Sequence, residues 1–417
     1  MPKPTSLSEL DSNQRRNGLL IIAGQTSSKL GDLICSAKTV LTWLMGVVGA
    51  PPALTALLVP IRESGSMLPQ AFISGFVKRA RKRKRIYAIG AIGQALCLGG
   101  MGLAAFFLKG AAAGWAIVVA LVFLSLARCL CSIASKDVLG KSIPKGARGK
   151  VTGTASSISG FLGLGAALIL TFGSSPSGSQ SSLGWIILGG GVCYLIASSL
   201  IRLVEEEDSP ESKAGFLSDI KSRFLLIWND RIFRNFVIAR SLLLGSALSS
   251  PYLVLLSQQN GLDLGSLAAF VIAGGLATAV SSPIWGSLSD RSARYTMMIG
   301  GILAGLFGFL GVITETSLPS LAGTAWIWPA LFFLLNLGYS GVRIGRKIYV
   351  VDICGGEKRT DYVSASNTVI AFIILALGGI ASLLHSLNSI ASLGFFSLLC
   401  VIGGIFVLRL PDTHAPE

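Results

Sequence analysis

Runs of about 20 apolar residues recur from one end of this 417-residue chain to the other. That is the length a helix rising 1.5 Å per residue needs to cross a hydrocarbon core ~30 Å thick. Apolar residues make up 52% of the sequence and charged residues 13%, with mean hydropathy +0.68, whereas a soluble protein carries roughly 25% charged residues. No segment shows the alternation of a barrel strand, so the chain reads as an all-α integral membrane protein. Twelve spans are expected, at 18–36, 52–77, 86–108, 114–135, 151–172, 184–204, 235–257, 264–288, 296–314, 326–348, 363–385 and 390–408.

The first residues, "MPKPTSLSELDSNQRRN", lack the short apolar core and cleavage site of a signal peptide, so the first span is expected to be retained. Lys and Arg concentrate on the cytoplasmic side of membranes. With a cytoplasmic N-terminus, all but six of the 35 Lys and Arg fall in cytoplasmic segments: Lys38 and Lys109 lie in outside loops, and Lys29, Arg62, Arg128 and Arg240 lie within spans. An even number of spans returns the C-terminus to the same side, in an inner or plasma membrane. The net charge of +15 is therefore a topology signal, not evidence for nucleic acid. The dense run Lys78 to Arg85, "KRARKRKR", is read as an orientation signal in preference to a specific lipid site.

The seven cysteines form no C-x-x-C and lie in or beside spans, and the histidines are only His385 and His414, so no metal site is expected. With no nucleophile elbow, Walker loop or dinucleotide fingerprint either, the reading is of a non-enzyme without cofactor.

The longest hydrophilic break, Glu205 to Asn235, divides the chain into an N-terminal six-helix bundle (1–204), a cytoplasmic linker (205–234) and a C-terminal six-helix bundle (235–417). The apolar "FLLIW" in the linker suggests a surface-lying amphipathic piece. Arg128 stands nine residues before Asp137, and Arg343 nine residues before Asp352. Both pairs fall in the fourth span of their half, as a duplicated chain would place them. Duplicated transporters hold their site at the repeat interface.

Between the eighth and ninth spans lies "GSLSDRSARY". It resembles the G-x-L-x-D-R-x-G-R signature of the major facilitator superfamily, with Gly286, Leu288, Asp290, Arg291 and Arg294 matching and Ala293 in place of the second glycine. "ARGKVTG", containing Arg148, resembles the family's R-G segment entering span five, and Arg128 resembles its span-four arginine. The resemblance implies two six-helix bundles related by pseudo-symmetry. It also implies a cytoplasmic gate formed by Asp137, Arg148, Gly286, Asp290, Arg291, Arg294, Arg343 and Asp352. In the first half, "ISGFVKRARKRKR" has no acidic residue from which to build such a latch, and span five lacks the antiporter proline. The glycines within the spans are read as close-packing positions.

Charges facing hydrocarbon cost about 2.5–3.5 kcal/mol on insertion scales, so those within spans should face protein or water. Gln25, Lys29, Asp32 and Ser36 follow helical spacing on span one; Glu63, Ser66, Gln70 and Ser74 do so on span two, beside Arg62, with Pro69 expected to bend the helix. These stripes are read as the lining of a central aqueous cavity, the alternative being structural ion pairs such as Lys29 with Asp32, three residues apart. Gln25, Lys29, Arg62, Gln70, Arg128 and Arg240 are the expected substrate-binding residues, with Glu63 first and Asp32 second as the proton-coupling carboxylate. Four cations against two carboxylates favour an anionic or zwitterionic solute.

The expectation is a monomeric secondary transporter working by alternating access, with a small-molecule solute, protons and the lipid bilayer as partners. The rivals are an exporter of amphipathic drugs or lipids, suggested by Phe-rich spans and the missing external carrier domain, and a non-transporting receptor or scaffold, suggested by the basic run and the acidic linker.

Overall fold

The computed structural model describes residues 11–69, 80–144, 151–152, 154–155, 157–163, 165, 180–206, 229–262, 264–353 and 359–412. Every regular element among them is helical. The helices are α1 (Ser12–Ile34), α2 (Val40–Val47), α3 (Pro52–Met67), α4 (Arg83–Phe107), α5 (Gly110–Ser142), α6 (Gln180–Arg202), α7 (Arg231–Leu242), α8 (Ser250–Gln259), α9 (Leu264–Arg291), α10 (Ala293–Ser317), α11 (Ile327–Ile353), α12 (Arg359–Leu387) and α13 (Ser389–Phe406), with single turns at Gly245–Leu248 and Pro319–Ala322.

Eight helical stretches among the described residues are long and apolar enough to cross a membrane. They fall where the third, fourth, sixth, seventh and ninth to twelfth spans are expected, and α9 covers the eighth. The first span differs from expectation. After α1 the helix breaks at 35–39 and resumes as the apolar α2, with Lys38 in the turn between them. On the second span, Pro60 lies inside α3, whereas Pro69 follows the helix in a turn instead of bending it.

The chain groups into two compact units, one of Met1–Ser36, Gly65–Ala166 and Ser179–Phe216, the other of Ala37–Ser64, Ala167–Gly178 and Leu217–Glu417. In the first, α4 packs along α5 and α6, and α1 along α6. Missing side chains permit the approach: a Cβ on Gly90 would lie 2.7 Å from the Ala127 carbonyl oxygen, and one on Gly31 3.0 Å from the Tyr194 ring. Ile21, Tyr87, Val138 and Ile201 form part of the buried core.

Acidic residues following α6 fasten one end of this unit. Glu206 accepts hydrogen bonds from the backbone N–H of Arg83 (2.9 Å) and Lys84 (2.8 Å), capping α4, and pairs with Lys141 at 3.2 Å. Neighbouring Glu205 pairs with Arg16 at 3.0 Å, and its carbonyl accepts from Asn17. A carboxylate suits a helix N-terminus because it meets otherwise unpaired N–H groups and the positive end of the helix dipole.

The second unit packs α10 against α11 and α13, and α9 against α11. Glycines again face one another: a Cβ on Gly300 would lie 2.7 Å from the Gly338 oxygen, and one on Gly338 2.6 Å from the Ala304 nitrogen. Side-chain caps start the helices, with Asp230 accepting from Phe233 N–H on α7, Ser292 from Tyr295 N–H on α10 and Asn388 from Ile390 N–H on α13. Phe236 stacks on Phe233 and Tyr349 in the core.

The segment Ala37–Ser64, from the first half of the sequence, is built into this second unit. Gln258 on α8 donates to the Trp43 carbonyl on α2 at 2.9 Å, over a position where only Gly46 leaves space. Gly378 on α12 admits the Pro60 ring of α3, where a Cβ would lie 2.5 Å away, and Ser382 donates to the Ala53 carbonyl at 3.0 Å.

Candidate functional site

In the first unit α1, α5 and α6 bring together Asp32, Arg128 and Tyr194. Arg128 forms an ion pair with Asp32, and the Tyr194 hydroxyl donates to the same carboxylate at 2.7 Å. The side chains of Arg128 and Asp32 are 35% and 22% exposed. Lys29, one turn before Asp32, donates to the Thr152 carbonyl at 3.5 Å. A cation that meets Asp32 thus comes from another helix, 96 residues away. Gln25 is half-buried on the same helix. An arginine and an aspartate in direct contact cancel most of each other's field, and the tyrosine satisfies a further lone pair.

A second cluster forms within the other unit. Arg240 on α7 is 9% exposed, and its Nη1 and Nη2 donate to Ser366 Oγ and Asn367 Oδ1 of α12, each at 2.9 Å. Both partners are neutral, and Nε has no hydrogen-bond partner among the described residues. Glu63 attracts this guanidinium and Arg346 repels it. Arg62, next to Glu63 on α3, is half-buried. On α11, Tyr339 carries Lys38 over its ring, 3.8 Å from the centroid, and Arg343 at 5.9 Å. Guanidinium and ammonium groups are drawn to an aromatic face by the ring quadrupole.

The residues expected at a cytoplasmic gate are distributed over three places. Asp137 meets Arg83 at 3.5 Å, so the basic stretch before α4, which lacks an acid of its own, finds one on α5. Arg294 donates to the Leu410 carbonyl at 3.0 Å and pairs with Asp412 at 3.4 Å, while Ser292 donates to the same carboxylate at 3.1 Å. Asp412 follows α13 as Glu206 follows α6, and each acid holds the start of the third long helix of its half of the sequence. Arg343 lies instead with Tyr339 and Lys38. Arg291 is exposed at the end of α9, and Gly286 has open space around it. Gln70 and Arg148 lie outside the described residues, as do the side chains of Asp290 and Asp352.

Sequence reasoning missed Lys38, Tyr194, Tyr339, Arg346, Ser366 and Asn367. Only the four-residue spacing of Tyr339 and Arg343 carries a local signal, since it places a ring and a cation on one helix face. No group of three or more potential metal-ligating side chains occurs among the described residues.

Comparison with known proteins bears on what such a scaffold does. The family model described as Major Facilitator Superfamily matches residues 236–417, the part that contains the Gly286–Arg294 turn. The C-terminal part of the chain is thus similar to the Major Facilitator Superfamily. Solved structures similar to the chain over nearly their whole length include a D-xylose-proton symporter, with 13% identity, TM-score 0.71 and coverage of 95% of this chain and 98% of that one. The xylose transporter XylE from E. coli in an inward-open conformation has 12% identity, TM-score 0.67 and coverage of 94% and 96%. A POT family transporter in complex with 5-aminolevulinic acid has 12% identity, TM-score 0.71 and coverage of 94% and 95%. At these identities the likeness is one of fold. Curated proteins yield no match.

Proposed function

We propose that this chain is a major facilitator superfamily member with twelve spans in two six-helix halves, a secondary active transporter for a small anionic or zwitterionic organic solute, moved by alternating access and coupled to protons. The observation that carries the reading is Arg240: a buried guanidinium with two neutral partners and an unused Nε. A buried cation needs compensation, and a carboxylate or phosphate on a solute supplies it through the bidentate geometry that arginine favours. Arg346 adds to the positive field, and Glu63 is the acid that interacts with Arg240.

A neutral sugar, the solute of the xylose symporter, has no use for this charge; a zwitterion such as the 5-aminolevulinic acid held by the POT transporter does. In this reading Glu63 carries the coupling proton, since its neutralisation changes the balance around Arg240. Asp32 is the second candidate, because protonating it would free Arg128.

Flux measured in proteoliposomes tests the reading. Solute uptake should rise with an imposed pH gradient and lose that dependence in Glu63→Gln. A verified flux that ignores both would exclude proton coupling through this acid, and a competition screen in which only amphipathic compounds displace the solute would favour a drug or lipid exporter.

A further inference from the structure

A cleft of about 390 Å³ opens where α4 begins and α6 ends, and among the described residues its walls are Lys84, Arg85, Ile89 and Arg202. We infer that this cleft is a binding site for an anionic phospholipid, with the phosphate held by Arg85 and Arg202 and an acyl chain laid along Ile89.

The volume falls within the ~300–1,000 Å³ of small-ligand sites, and three of the four walls are cationic. Among the described residues, Glu206, which follows α6, is committed elsewhere: its buried carboxylate takes the backbone N–H groups of Arg83 and Lys84 and the ammonium of Lys141. The helix N-terminus is therefore already satisfied, and Lys84 is fixed by donating to the Val204 carbonyl at 2.6 Å. Arg85 and Arg202 are exposed and have no hydrogen bond or ion pair among the described residues.

One turn from Arg85 on the same face, Ile89 is 59% exposed, and Leu96 (71%) continues the stripe along α4; Leu203 is exposed beyond Arg202. In a membrane protein such side chains meet hydrocarbon, so a polar, cationic end runs directly into an apolar wall. That sequence of chemistry matches a phospholipid and not a free anion. The charge distribution assigns this end to the cytoplasmic face, where anionic headgroups concentrate.

In the other unit, Arg294 is tied to Leu410 and Asp412, and Arg409 lies 5.1 Å over the Phe406 ring.

The test uses the purified full chain in neutral detergent, titrated with short-chain phosphatidylglycerol, short-chain phosphatidylcholine or inorganic phosphate at constant ionic strength, with ligand-induced thermal stabilisation as readout. Phosphatidylglycerol should bind at least about 10-fold more tightly than phosphatidylcholine. In the Arg85→Gln/Arg202→Gln variant its affinity should fall about 25-fold, the loss expected for two interfacial cations. Arg409→Gln should leave it unchanged, and Arg85→Lys/Arg202→Lys should restore much of it, which separates lost binding from misfolding. Equal affinity for the two lipids, retention of phosphatidylglycerol by the double glutamine variant, or equally tight binding of inorganic phosphate would each overturn the lipid site.

Discussion

Arg128 and Arg240 are both membrane-span arginines, yet they are satisfied in opposite ways. Arg128 meets a carboxylate and a tyrosine-supported ion pair at a partly exposed position, whereas Arg240 is buried and bonded to a serine and an asparagine. A guanidinium whose charge is cancelled on the spot has little left for a ligand. One held by neutral donors and acceptors keeps its charge, which is why the anion-recognising role is placed at Arg240 and a lock or proton-linked release at Arg128.

The largest effect should come from Arg240→Gln, which removes a buried charge whose hydrogen-bond partners are neutral. Solute flux in proteoliposomes is expected to fall at least about 30-fold, as when one member of a buried charge pair is lost, with Arg240→Lys intermediate because it keeps charge but loses the fork. Unchanged flux in the glutamine variant would erase the distinction between the two sites.

Asp32→Asn tests the other arginine. It leaves Arg128 facing a neutral partner and should cost about 1–3 kcal/mol of stability, less than the 3–5 kcal/mol of a fully buried pair because both groups are partly exposed. Thermal unfolding of the purified protein reads this, and Asp32→Asn/Arg128→Gln should recover most of the loss. If the single substitution melts like wild type, the ion pair is not a lock.

Much of this arrangement was legible in the sequence, and the reasons for the rest are local. Apolar length alone located eight spans, since hydrocarbon thickness leaves little freedom. Polar spacing picked out Asp32 and Glu63, and charge within an apolar span picked out Arg128 and Arg240. It did not identify the partner of Asp32, because spacing reports neighbours on one helix, and the partner arrives on α5 through the packing of α1, α5 and α6. The contact of Lys38 with Tyr339 gives no signal, because the two residues are far apart in the chain. Ser366 and Asn367 give no signal in a sequence rich in small polar residues; burial beside Arg240 is what distinguishes them.

A third substitution separates the clusters through packing. Gly378→Ala pushes α12, which carries Ser366 and Asn367, away from Pro60 on α3, and overpacking of this kind costs about 1–3 kcal/mol. Solute affinity should weaken several-fold, while a probe attached near Asp32 should report no change; an altered Asp32 environment with normal affinity would reverse the assignment. Smallest is Tyr194→Phe, which removes the 2.7 Å hydrogen bond to Asp32. It should lower stability by about 0.5–1.5 kcal/mol in thermal unfolding and leave solute affinity within about twofold.

The most direct measurement compares binding of a carboxylate solute and its neutral amide to the wild type and to Arg240→Gln, by thermal shift or calorimetry after a ligand screen. The account predicts a strong preference for the carboxylate that disappears in the variant. Equal binding of acid and amide to the wild type, or an acid preference that survives without Arg240, would contradict it.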